Sequence, residues 1–195
     1  MKNFELIKKI ISDELAGSVS AVMALNFFED TMPLAEYNNE EFDGDYSFSE
    51  NGIVFAEDGG CGFYILLDDG SIGYANPSYD ECGRTAENMQ EFLEMMLNTS
   101  SWQNYMDEHF VDQPLDKSEI EACEAKGRED YADAYGNEFP PYEEAAKKIS
   151  EHFGLRLSED ITQDVLPKLY KAMTRKPQFT VTIDGGTPLH LVGKD

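Results

Sequence analysis

The sequence predicts an α+β fold, a mainly antiparallel β-sheet covered by helices, with a helical and β-hairpin C-terminal extension. Short apolar segments at 52–56, 62–67 and 71–76 are typical of buried strands. Apolar residues recur with the helical period near the N-terminus, at 85–97 and in 142–173. At 179–183, apolar and polar residues alternate, as expected of a half-buried strand near the end of the chain.

The first half of the chain opens with an amphipathic pattern. Residues 3–16 predict a helix, and Gly17 occupies the position expected of its C-terminal cap. Residues 18–30 are apolar and fit either a helix or a strand. Three short strands follow at 52–56, 62–67 and 71–76. Residues 85–97 then predict a helix, with Thr85 as its N-terminal cap.

Between the second and third of these strands, Asp69-Gly70 predicts a two-residue type I′ turn. That turn pairs Leu67 with Ile72 and Ile65 with Tyr74. It therefore places five apolar side chains on one buried face: Phe63, Ile65, Leu67, Ile72 and Tyr74.

The second half is mainly helical. A helix opening at Asp116 or Ser118 is expected to reach about residue 126, and another is expected from Tyr142 to Phe153, stopped by Gly154. A further helix is expected from Ser158 toward Met173, where Pro167 should kink or split it.

The last segment predicts a hairpin. A two-residue Gly185-Gly186 turn pairs Val181 with His190. A five-residue loop, 184–188, instead pairs Ile183 with Leu189 and Val181 with Leu191. The second register is favoured because it collects more apolar side chains on one face.

The charge of the chain restricts the class of partner. The chain has 195 residues, of which 39 are acidic and 15 are Lys or Arg, giving a net charge of −24. Such a surface repels nucleic acids and anionic membranes and attracts basic proteins. The same charge can also serve solubility alone. No apolar segment is typical of a signal peptide or a membrane span, so a cytoplasmic location is expected.

Motifs for cofactors and metals are not recognised. The three cysteines are widely spaced, which predicts neither a disulfide nor a zinc site. The glycine-rich stretch 57–77 has no lysine for a phosphate-binding loop, and its neighbours do not match the ligand spacing of a calcium loop. Cys61 is the one candidate nucleophile, so a Cys-dependent hydrolase is a second alternative function; the three histidines are scattered along the chain.

The stretches "IVFAEDGGCGFYILLDDGSIGYANP" and "NMQEFLEMML" resemble the SUKH superfamily, which includes fungal cell-wall-synthesis regulators and bacterial immunity proteins. The resemblance covers mainly residues 52–97. It implies an α+β core, assigned here to residues 1–112, with 113–195 as an extension packed into the same domain. It also implies protein binding without catalysis or a cofactor, and in particular neutralisation of a basic toxin such as a nuclease. An intracellular scaffold or regulator is the alternative.

Two segments place aromatic residues among carboxylates, 36–50 and 127–144. In the first, the candidate partner-binding residues are Glu40, Glu41, Asp43, Asp45, Tyr46 and Phe48. The carboxylates would steer a basic partner and the rings would anchor it. In the other interpretation the rings anchor the segment to the core while the acids face water, and this is at least as well supported for 127–144.

Overall fold

A computed structural model describes residues 2–106, 116–183 and 185–191, with side chains described from residue 5 onward. A five-stranded antiparallel sheet lies at its centre, in the order β1-β3-β4-β5-β6, and a separate pair is formed by β2 and β7. The strands are β1 (Asn26–Pro33), β2 (Tyr46–Phe48), β3 (Gly52–Glu57), β4 (Phe63–Leu67), β5 (Ile72–Asn76), β6 (Glu81–Ala86) and β7 (Val181–Ile183). The α+β class predicted from the sequence is confirmed.

The described helices cover both faces of the sheet. They are α1 (Lys2–Ile11), α2 (Ala16–Met23), α3 (Leu34–Phe42), α4 (Met89–Asn98), α5 (Lys117–Tyr135), α6 (Tyr142–Phe153), α7 (Ile161–Asp164) and α8 (Leu166–Thr174). Short 3-10 turns lie at Pro77–Tyr79 and Trp102–Met106. Within the described part of the chain, no helix is long and apolar enough to cross a bilayer.

The sheet separates two apolar cores. The larger core contains Phe55, Tyr64 and Tyr74 from the sheet, packed against side chains of helices from both halves of the sequence. The smaller core lies on the other face and includes Phe63 and Phe179. Because β3, β4 and β5 are covered on both faces, their nearly continuous apolar runs are explained by burial rather than by alternation.

The hairpin between β4 and β5 corrects the predicted register. Gly70 N–H donates to the Leu67 carbonyl (2.9 Å), and Leu67 N–H donates to the Ser71 carbonyl (2.9 Å). The loop thus has three residues, 68–70, with Gly70 at φ 89°. Ile65 faces Gly73, and Tyr64 faces Tyr74.

The predicted two-residue turn is therefore wrong, and so is the predicted common face. Ile65 belongs to the smaller core, whereas Tyr74 belongs to the larger one. The physical reason is local. The Asp69 carboxylate accepts hydrogen bonds from the Ser71 backbone (2.9 Å) and hydroxyl (2.5 Å), which stabilises the longer loop.

Two predicted helix boundaries near the sheet are also wrong. The first helix ends at Ile11 and not at residue 16; Asp13 then accepts a hydrogen bond from Leu15 N–H (3.0 Å), which favours a turn over further helix. Gly17 lies inside α2, where a Cβ would stand 3.3 Å from the Phe139 ring. Thr85 is in β6, and the cap of α4 is Asn88, whose side chain accepts from Glu91 N–H (3.0 Å).

The helical second half agrees more closely with the helices predicted from the sequence. Helix α6 has the predicted bounds, with Gly154 at φ 70° ending it. Pro167 splits the next helix as predicted: Asp160 caps α7, and α8 begins at Leu166. Helix α5 extends to Tyr135 and thus includes much of the second acidic and aromatic segment, where the sequence predicted an end near residue 126.

The terminal hairpin has neither of the two registers considered. Val181 forms a single bridge with Leu189, whose N–H donates to the Val181 carbonyl (2.8 Å). The other edge of β7 pairs instead with β2, placing Ile183 opposite Tyr46 and Val181 opposite Phe48. Strand β7 forms its hydrogen-bonded ladder with β2, which is distant in sequence. The local hairpin is limited to the single bridge between Val181 and Leu189.

Candidate functional site

The first acidic and aromatic segment folds as a helix and a strand. Helix α3 follows Pro33 and ends at Asp43, which has φ 54°; Gly44 follows with φ 79°. This tight exit returns the chain toward the sheet, where Tyr46–Phe48 forms β2. The Asn38 side chain donates to the Tyr46 carbonyl (2.8 Å) and so fixes the helix to the strand.

The carboxylates of this segment point to solvent. Glu40, Glu41, Asp43 and Asp45 are all exposed. We call these four residues the acidic surface. In the described ranges, none of the four forms an ion pair. Within the part of the chain that the structure describes, no ion pair therefore offsets their negative charge.

The two candidate anchors, Tyr46 and Phe48, are half-buried and make internal ring contacts. The Tyr46 ring lies 4.8 Å from that of Phe42. The Phe48 ring lies 6.2 Å from Phe63 and is stacked 6.1 Å from Phe179. These contacts hold β2 on the smaller core. A role in binding a partner stays a prediction for both residues.

The second segment, 127–144, uses its residues differently. Lys126 forms an ion pair with Asp130 (2.8 Å), and Arg128 forms one with Glu143 (3.3 Å). Tyr131 and Tyr142 are each only 6% exposed. The rings therefore anchor α5 and α6 to the core, and part of the acidic charge is paired.

The uneven distribution of positive charge was not used in the prediction, although the sequence contains it. Between residues 10 and 83 there are 16 Asp or Glu residues and no Lys or Arg. The basic residues are confined to the first nine positions and to positions from Arg84 onward. The segment with α3 and β2 therefore contributes a surface of one sign, whereas the surface of α5 and α6 is mixed.

The glycine-rich loop between β3 and β4 is held by one carboxylate. Asp58 Oδ1 accepts from the backbone N–H groups of Gly60 (2.7 Å) and Gly62 (2.9 Å). Asp58 Oδ2 accepts from the Tyr74 hydroxyl (2.9 Å). The loop is thus built around an anion, which accords with the absence of a lysine and disfavours phosphate binding.

Cys61 lies in this loop, is exposed and has φ 66°. Within the described residues, no hydrogen bond links it to a histidine. His152 Nε2 instead lies 2.8 Å from Asp13 Oδ2, and His109 lies outside the described residues. Cys82 is buried, which raises the pKa of its thiol. The Cys-dependent hydrolase remains a prediction without an assembled base.

No group of three or more His, Cys, Asp or Glu side chains in the described ranges is arranged to hold a metal ion. Comparison of the chain with protein-family models, with curated proteins and with solved structures finds no match.

Proposed function

We propose that the chain is a non-catalytic protein-binding module that receives a basic protein partner on the acidic surface of α3 and β2. The observation that carries the proposal is a set of four exposed carboxylates within a long stretch of sequence that contains no Lys or Arg. None of the four forms an ion pair with another residue that the structure describes. A surface of one sign accelerates encounter with a partner of the opposite sign.

The acidic surface is also held in place. The Asn38 bond to the Tyr46 carbonyl, the ladder between β2 and β7, and the contact between Phe48 and Phe179 fix the backbone that carries the carboxylates. A rigid surface loses little conformational entropy on binding, so more of its interaction energy contributes to affinity. The internal contacts of Tyr46 and Phe48 support this proposal even where the rings do not reach the partner.

The SUKH resemblance suggests the kind of partner. It implies an immunity protein of the cytoplasm, and a toxin that cleaves nucleic acid must present basic side chains to phosphate. An acidic module can occupy those side chains and so block substrate binding. The proposed partner is therefore a basic toxin such as a nuclease. The same surface would also suit a scaffold or regulator. A toxin gene beside the gene for this protein would favour the immunity role over that alternative.

The test begins with co-purification from the native cell and identification of the partner by mass spectrometry. Association and dissociation rates are then measured over a salt series. We expect association to slow as salt increases, because the Debye length is about 8 Å at physiological ionic strength and ~3 Å at 1 M.

A pair of variants with the same net charge separates the acidic surface from general attraction. The first changes its four acids to lysine: Glu40, Glu41, Asp43 and Asp45. The control changes four exposed acids of the second segment: Glu129, Asp130, Asp133 and Glu138. We expect the first variant to associate roughly 10- to 100-fold more slowly, and the control to lose much less.

An acidic or neutral partner would contradict the proposal. So would equal on-rates of the two variants, or an on-rate that does not depend on salt. In those cases the charge of −24 would serve solubility.

A further inference from the structure

We draw no further inference here: the strongest candidate, the open cleft of about 360 Å³ between α5, α6 and the loop that leads into α7, carries nothing, because its two basic side chains already pair with carboxylates of the cleft and nothing in the structure shows what would cover its exposed Leu157.

Discussion

The α3–β2 region and the α5–α6 region have similar composition, since both place aromatic rings among carboxylates. In α5 and α6, Tyr131 and Tyr142 are buried, and lysine and arginine pair with some of the acids. In α3 and β2 the rings are half-buried, and the four acids of the acidic surface form no ion pair with any described residue. Composition alone therefore does not distinguish a packed helix surface from a surface of one charge sign.

The two regions are also attached to the molecule by different means. Glu50, two residues after the end of β2, pairs with the buried Arg84, which also donates to the Pro177 carbonyl (2.7 Å) and the Ser71 hydroxyl (3.1 Å). Helix α5 is attached by apolar packing and by the buried Glu124, which accepts from Ser100 N–H (2.9 Å), whereas Arg128 lies on the surface. A buried cation thus holds the chain just after β2.

The two arginines should give the largest difference in stability. The Arg84 side chain is 2% exposed, whereas that of Arg128 is 44% exposed. We expect Arg84→Ala to lower the free energy of unfolding by about 3–5 kcal/mol, because it breaks a buried cation's bonds to Glu50, the Pro177 carbonyl and the Ser71 hydroxyl. Arg128→Ala should lower it by about 1 kcal/mol or less. Urea unfolding measures both, and similar losses would contradict the proposed difference in attachment.

Two tyrosines test whether the rings differ in burial as described. Tyr142 is 6% exposed and donates to the Leu97 carbonyl (3.1 Å), whereas Tyr46 is half-buried. We expect Tyr142→Ala to destabilise the fold by roughly 3 kcal/mol and Tyr46→Ala by roughly half as much. The comparison is made from the midpoints of denaturant unfolding with the slope unchanged. A larger loss for Tyr46 would show that β2 is the better packed element.

Glycines at positive φ should respond alike in both halves of the molecule. Gly70 (φ 89°) lies in the β4–β5 loop, and Gly154 (φ 70°) ends α6. Valine at either position should cost about 1–2 kcal/mol, because a β-branched side chain resists positive φ. Melting temperatures of the two variants provide the measurement. An unchanged melting temperature for Gly70→Val would contradict the loop conformation.

The smallest expected effect concerns pH. Burial, followed by Asp58, raises the pKa of Glu81. A hydrogen bond from Thr162, together with Lys117, lowers the pKa of Asp160. Above its raised pKa, ionised Glu81 destabilises the fold, so Glu81→Gln should be neutral or stabilising near pH 7. Ionised Asp160 stabilises the fold, so Asp160→Asn should be destabilising there.

The Glu81 difference should disappear as the pH falls below the ordinary carboxyl pKa, because Glu81 is then protonated in both the folded and the unfolded state. The Asp160 difference should disappear only as the pH falls through the lowered pKa of the folded state, since folded Asp160 stays ionised until then. Stability curves of the two variants from pH 7 down to about pH 2 are the appropriate measurement. Opposite signs at pH 7 are expected, and equal signs would contradict the assigned environments.

Much of the fold could be predicted because its signals are local. The strands at 52–57, 63–67 and 72–76 are short apolar runs, and α6 ends at a glycine in the left-handed region. Strand β6, "ECGRTA", was not predicted. The polar sequence of β6 is compatible with a buried strand because Arg84 bonds to Glu50 and to the Pro177 carbonyl, which lie 34 and 93 residues away in sequence.

The candidate site was predictable to a similar extent. The exposure of Glu40 and Asp43 follows from their chemistry, since isolated carboxylates are rarely buried. The ring contacts of Phe48 do not, because Phe179 reaches it only through the pairing of β2 with β7. The predicted register of the β4–β5 hairpin was wrong because the sequence does not show how long the loop is. An Asp-Gly pair fits loops of two or three residues, and the Ser71 hydrogen bonds to Asp69 favour the longer one.

The pairing of β2 with β7 also has a consequence for the order of folding. Strands β3 to β6 are neighbours in both sequence and space, so their contacts close short loops. The β2–β7 ladder joins residues 46–48 to 181–183 and must close a much longer loop for only three residue pairs. We expect β7 to dock last and to detach first. Its amides should then exchange hydrogen faster than those of β4, and a chain with β7 detached would expose Phe179 and a free strand edge to other chains.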